Sequence, residues 1–195
     1  MHYQWLHLQA ARKRARLLSL VQLAAIVLLT FTLLPSAAHL FELPNKLALA
    51  PHDYLIAQSS YRGWALFGFA VAGAFAASTL HAYLIKASHL ALRWSLIVLT
   101  CLVTAQIIFW TFTYPMNVLT DNWTAMPADL EAARRQWEFS HAVASVFDFA
   151  ALVAMIVSVQ ASRPCMGSGI VAAVGRDIDV RKARARALNL VEVDR

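Results

Sequence analysis

Charge is scarce in this sequence. Of its 195 residues, 14% are Asp, Glu, Lys or Arg, against about 25% in an ordinary soluble domain. That deficit excludes a disordered chain, which needs low hydrophobicity and much charge, and it argues against a soluble domain. Cysteine is scarcer still. Two residues, Cys101 and Cys165, cannot build a disulfide scaffold. Both are expected unpaired, Cys101 as a small hydrophobe inside an apolar run. Absent as well are a P-loop, a G-x-S-x-G elbow, a CxxC pair, a Gly-rich nucleotide fingerprint and any internal repeat. The net charge of +6, from 17 basic and 11 acidic side chains, would suggest nucleic acid in a soluble protein. Here the basic residues stand beside long apolar runs, so no nucleic-acid partner is expected.

What the sequence has is hydrocarbon: 59% apolar residues and a mean hydropathy of +0.55. A membrane-crossing helix needs about 20 mostly apolar residues. Four runs qualify, near 17–40, 63–85, 94–114 and 137–160. The second carries small residues along its length (Gly68, Ala72, Gly73, Ala76, Ala77), which let helices approach closely. Arg12, Lys13, Arg14 and Arg16 with Ser36-Ala37-Ala38 imitate a signal peptide. The first run exceeds the roughly 7–15 residues of a signal core, so a retained helix is expected. With the N-terminus inside, Arg12, Lys13, Arg14, Arg16, Lys86, Arg93 and six arginines and Lys182 of the tail fall on the cytoplasmic side. Only Lys46, Arg62, Arg134 and Arg135 fall outside. The positive-inside rule then places both termini in the cytoplasm. The fold expected is all-α, an integral membrane four-helix bundle: a basic segment over 1–16, the bundle over 17–160 and a basic cytoplasmic tail over 161–195. That tail would be drawn to anionic head groups or simply be solvated.

This topology gathers the chemically rich residues on the outer face. His39-x-x-Glu42 closes the first helix, with Pro44 expected to stop it. Glu138-x-x-His141 opens the fourth. Residues three apart share a helix face, so two imidazoles and two carboxylates can converge. His39, Glu42, Glu138 and His141 would suit one divalent metal, zinc, iron or copper. A di-iron centre would need more bridging glutamates than the middle spans supply. The plain structural reading is that these groups are solvated, cap helices or pair with Lys46, Arg62, Arg134 or Arg135. Asp148, seven residues after His141, is a mid-span carboxylate of the kind that faces a bundle interior. Gln106 and Trp110 would extend a polar lining inward from the outer mouth. Ser78 and His81 sit near the inner end of the second run, where His81 is read as a satisfied interfacial histidine. Trp64, Trp110, Tyr114, Trp123 and Trp137 form an aromatic belt or wall a pocket for a flat apolar ligand. Asn45, Asn117 and Asn122 are ordinary turn residues, and Asn122-Trp123-Thr124 is a formal glycosylation acceptor of little weight here.

Pro115-Met116-Asn117, Asn122-Trp123 and Arg134-Arg135-Gln136-Trp137-Glu138-Phe139-Ser140-His141 resemble the anthrone oxygenase-like family of small bacterial four-helix membrane proteins. Glu42-Leu43-Pro44-Asn45-Lys46 and Tyr61-Arg62-Gly63-Trp64 resemble a subgroup of such proteins. The resemblance covers about 17–160. It implies a four-span bundle in a bacterial inner (plasma) membrane and, for a few members, oxidation of a polyketide anthrone by dioxygen. By position the family's polar motif falls on Asn117, Trp123, Arg134 or Arg135, Trp137 and His141. An arginine that often follows is replaced here by Ala144 and Ser145. Two functions are therefore expected to compete. One is an oxidoreductase for a lipophilic small molecule, with His141, Asn117, Trp123, Trp137 and Asp148 as site residues and His39, Glu42, Glu138 and His141 as metal ligands. The other is a non-catalytic subunit or assembly factor, in a homo-oligomer or a larger membrane complex. A transporter is less attractive without inverted repeats or a broken helix.

Overall fold

Backbone surrounded by apolar side chains must satisfy its own hydrogen bonds, and a long apolar run does so as a helix. The computed structural model describes residues 2–163, and every regular element among them is helical. α1 is His2–Leu47 and α2 is Pro51–Ser59. A 3-10 turn, Trp64–Leu66, leads into α3, Phe67–Leu84. α4, His89–Ile108, continues through a π-wound turn, Phe109–Thr113, into the short α5, Tyr114–Leu119. α6 is Leu130–Ser162. Four stretches, Trp5–Leu47, Trp64–Leu84, His89–Leu119 and Leu130–Ser162, are long and apolar enough to cross a membrane. The expected basic tail and Cys165 lie outside the described residues.

α1, α3, α4 and α6 close a ring in which each packs on the next. At its middle lie Ala25, Leu29, Ala74, Val98, Leu102, Ala151, Ala154 and Met155, all nearly or fully buried. Alanines dominate this interior, which lets the backbones come close; between helices in an apolar medium, such packing supplies the cohesion. At Gly73 an added Cβ would stand 3.1 Å from the Leu28 side chain, so that small residue belongs to the α1–α3 contact. Ala72 and Ala76 face outward instead, as do large apolar residues such as Phe41 and Phe69.

Three helix ends differ from expectation. Pro44 does not stop α1, which holds both Pro35 and Pro44 and runs on to Leu47. A proline removes one backbone bond, and a helix packed on neighbours absorbs that loss. At 46 residues and about 1.5 Å per residue, α1 is roughly twice the thickness of a bilayer's hydrocarbon core. Nor does Glu138 open the last helix, because α6 starts two turns earlier. Asp129 initiates it, its carboxylate accepting the Ala132 N–H at 2.9 Å, an ordinary N-cap. The π-wound turn directly precedes Tyr114-Pro115. Pro115 has no N–H to give and would crowd the preceding turn of an α-helix, and a wider winding relieves both.

Leu29 is 1% exposed and Phe69 is 79% exposed. Leu29→Ala is expected to cost about 2–5 kcal/mol, and Phe69→Ala less than about 0.5 kcal/mol. Reversible unfolding in detergent micelles measures both, and equal losses would contradict the described packing.

Candidate functional site

One end of the bundle is aromatic and polar, the other basic. The aromatic end joins the last turns of α1, α2, the 3-10 turn, the π-wound turn with α5, and the first three turns of α6. Its anchor is an ion pair. Lys46 Nζ on α1 lies 2.6 Å from Glu138 Oε1 on α6, with both side chains 5% exposed or less. Tyr54 on α2 donates its hydroxyl to the same Oε1 at 2.9 Å, and the Gln58 amide donates to the Tyr54 oxygen at 2.7 Å. Burial, and after it the neighbouring Glu138 carboxylate, push the Tyr54 pKa well above its ordinary value, so the phenol stays a donor. Lys46 Nζ also lies 4.6 Å and 4.8 Å from the ring centroids of Tyr61 and Trp137, close enough for cation–π attraction. Two charges taken from water are held together here, with the Tyr54 hydroxyl on the same oxygen, while Glu138 Oε2 is buried without a hydrogen-bond partner; a pair so buried depends on both members being present.

Beside this network the two expected histidines meet. His39 on α1 and His141 on α6 stack with ring centroids 4.4 Å apart. Tyr61 lies 4.4 Å and Trp64 5.7 Å from His39. Trp137 lies 4.7 Å from His39 and 4.3 Å from His141. His39 is buried, and its Nδ1 is buried without a hydrogen-bond partner. His141 is half-buried, so the pair has one reachable ring. Glu42 accepts a hydrogen bond from the Tyr61 hydroxyl.

The loop from α5 to α6 presents the remaining side chains. Asn117 Oδ1 accepts from Trp137 Nε1 at 2.7 Å and from Trp123 Nε1 at 3.2 Å. One amide oxygen therefore fixes both indoles. Asp121, Asn122 and Trp123 have φ of 48°, 54° and 64°. This left-handed region is rare for residues with a Cβ, and a bulky indole there is a genuine outlier. The strain is held by Thr120 Oγ1, which accepts the Trp123 N–H at 3.0 Å, and by Tyr54, whose ring packs 5.3 Å from that of Trp123. Backbone strain of this kind collects where surrounding structure over-determines a functional conformation.

The sites read from the sequence are thus partly assembled. His39, His141, Trp137, Trp123 and Asn117 come together. Glu42 and Glu138 are at the same end, but each carboxylate has its own partner, Tyr61 for one and Lys46 with Tyr54 for the other. Among the described residues no three His, Cys, Asp or Glu side chains form a group able to hold a metal ion. Arg134 turns inward, donating to the Leu49 carbonyl at 2.9 Å and pairing with Glu131, whereas Arg135 is exposed. Asp148 is buried, as expected, and Ser36 Oγ lies 2.8 Å from its Oδ2. The expected inward lining by Gln106 and Trp110 does not form, because Trp110 is 59% exposed; the π-wound turn rotates that stretch outward. Of the aromatics, Trp64, Trp123 and Trp137 turn into the site and Trp110 and Tyr114 turn away. His81 does not meet Asp148. Its Nε2 lies 3.0 Å from Ser158 Oγ, ten residues or about 15 Å further along α6. Tyr54 and Gln58 were not expected as site residues, and Lys46 was expected only as an ion-pair partner for these groups, which it is for Glu138. Their signal was spacing: Lys46 is four residues after Glu42 and seven after His39, and Tyr54 and Gln58 are four apart, so each set shares a helix face.

No protein-family model matches the chain, and no curated protein or solved structure matches it. The site therefore stands on its geometry alone.

Removing one partner of a buried ion pair is expected to cost about 3–5 kcal/mol. Lys46→Met should show that loss on unfolding in micelles. Lys46→Met with Glu138→Gln, which keeps an acceptor for Tyr54 but no orphan charge, should recover most of it. Additive losses in the double variant would mean the two residues act separately.

Proposed function

We propose that the aromatic end is the active site of a membrane-embedded oxidoreductase that takes a lipophilic small molecule from the bilayer. The observation that carries the proposal is the His39–His141 pair, two imidazoles from opposite ends of the sequence stacked among three aromatic rings, one nitrogen buried without a partner. An imidazole nitrogen can take a proton, and one held without a partner among aromatic side chains is available for general acid–base catalysis on a bound molecule. Tyr61, Trp64 and Trp137 offer faces to a flat ring system, while Lys46 and the Tyr54 phenol offer donors to an oxygen that gains negative charge. Asn117 and Trp123 hold the wall in place. The resemblance to anthrone oxygenase-like proteins falls on Asn117, Trp123, Arg134 or Arg135, Trp137 and His141, of which Asn117, Trp123, Trp137 and His141 are gathered here, and favours a fused-ring hydroxyaromatic substrate. The basic residues at the other end favour a topology with the site on the outer face of a multi-pass membrane protein, and the family resemblance favours a bacterial inner membrane.

A second reading is favoured by the same orphaned nitrogen. His39 and His141 would bind one divalent zinc, iron or copper ion, Glu42 or Glu138 joining only by giving up a present partner. Such an ion would polarise a bound oxygen.

The test uses protein purified in mild detergent, with anthrone as the probe and dioxygen uptake as the readout. His141→Ala and His39→Ala are each expected to lower turnover about 10²–10⁴-fold, while anthrone still quenches tryptophan fluorescence. Metal analysis of the same preparations separates the two readings. About one equivalent in the wild type, lost in either variant, supports the ion; less than about a tenth of an equivalent after reconstitution removes it. Unchanged uptake in both histidine variants overturns the proposal. So does recovery of a fixed stoichiometric partner with no turnover, which identifies a non-catalytic subunit.

A further inference from the structure

The α1–α6 contact keeps a fixed antiparallel register. The Gln22 amide donates to Ser162 Oγ at 3.0 Å, Ser36 meets Asp148 at 2.8 Å and Lys46 meets Glu138 at 2.6 Å. Moving along α1 from Gln22 to Ser36 to Lys46 is matched residue for residue by moving back along α6 from Ser162 to Asp148 to Glu138. From the aromatic end inward, polar groups line this seam on both sides. Lys46 and Glu138 come first, then His39 and His141, then Ser145, then Ser36 and Asp148. Buried Thr32 follows, its hydroxyl turned back to the Leu28 carbonyl at 3.0 Å. Beyond it Leu29, Leu102, Ala151 and Met155 close the interior. Asp148 is therefore the inner end of a polar seam that starts at the histidine pair.

The surroundings of Asp148 fit two protonation states. It makes no ion pair with any Lys, Arg or His among the described residues. Its partner Ser36 has a single hydroxyl hydrogen and two acceptors in reach, Asp148 Oδ2 at 2.8 Å and the Leu33 carbonyl at 3.1 Å. With Asp148 ionised, Ser36 donates to the carboxylate. With Asp148 protonated, the carboxyl O–H donates to Ser36 Oγ, and Ser36 turns its hydrogen to Leu33. The Ser36–Oδ2 hydrogen bond is kept in both states with its direction reversed, so the proton can come and go without breaking it. A carboxylate meant as a permanent charge would instead be held by a cation or by several N–H donors. The other titratable groups around it are His39, one turn along α1 from Ser36; His141 on α6 itself; and the buried Cys101 thiol of α4, within electrostatic reach.

We propose that Asp148 is a proton-exchanging carboxyl group that stores a proton for the His39–His141 site, with Ser36 as the hydroxyl that lets it do so. It is a positioning and proton-holding residue and does not touch the substrate. The inference rests on reading the aromatic end as a reactive site. The step is a proton transfer relayed by an intervening water, because His141 lies seven residues or about 10 Å along α6: the carboxyl O–H bond breaks as the water takes that proton and passes one of its own to the imidazole, forming an N–H bond, and the reverse recharges the carboxyl.

Infrared spectroscopy of the full chain in phosphatidylcholine nanodiscs, without substrate, tests it. The carboxylic C=O stretching band is followed against pH and after transfer to D2O. The wild type should show a band that Asp148→Asn removes and Asp148→Glu displaces, which ties it to this residue even where one variant folds poorly. Ser36→Ala should move its frequency. Deuterium should reach it promptly in the wild type and about tenfold or more slowly when His39 and His141 are both alanine, as expected for a proton route through them. A band absent at every pH at which the protein is folded overturns the proposal, as does a band that never exchanges. Equal exchange with and without the histidines also overturns it. Because no substrate is present, these failures leave the dioxygen-uptake result standing, and loss of uptake leaves the exchange result standing.

Discussion

Opposite charges buried together are the constraint around which this end of the molecule is arranged. Lys46 and Glu138 close α1 against α6 where both helices leave the apolar core. Neither is tolerable alone away from water, so each fixes the other. Tyr54, itself held by Gln58, gives the acceptor a further donor and ties α2 to the bundle. Tyr61 and Trp137 sit close to the ammonium, and the same two rings flank His39. The histidine pair is thus held by neighbours whose positions the ion pair has already set. The register it imposes continues inward through Ser36 and Asp148 to Gln22 and Ser162.

Much of the architecture was legible in the residues. Four long apolar runs against so little charge leave few folds open, and the four long helices follow them. The meeting of His39 and His141 was legible from i,i+3 spacing combined with a charge-based topology that put both at one end. The helix limits were less so. Pro44 reads locally as a stop, but the packing of α1 on α3 and α6 outweighs one missing backbone bond. Asp129 is a standard N-cap that a hydropathy window passes over, because it lies two turns ahead of the apolar run.

The site's internal pairing was the least legible part. Glu42 and Glu138 look like ligands in sequence because nothing local assigns them partners. In the fold, Tyr61 and Lys46 arrive from elsewhere and claim them. Lys46 itself reads as an outer-loop charge until α1 is seen to run past Pro44 and carry it inside. Trp110 shares a helix face with Gln106 only if the winding stays regular, and the π-wound turn breaks that assumption. Asp148 was visible from cost alone, as a carboxyl where hydrocarbon would be expected, whereas its hydroxyl partner Ser36 was hidden among small residues.

Between Asp148 and the separate cluster of His81, Ser95 and Ser158, the interior is mostly hydrocarbon, with the sulfurs of Met155 and Cys101 and the Ser78 hydroxyl among it. A layer of that composition is a poor medium for charge. For the activity proposed above, this layer would confine proton exchange to the compartment on the aromatic side.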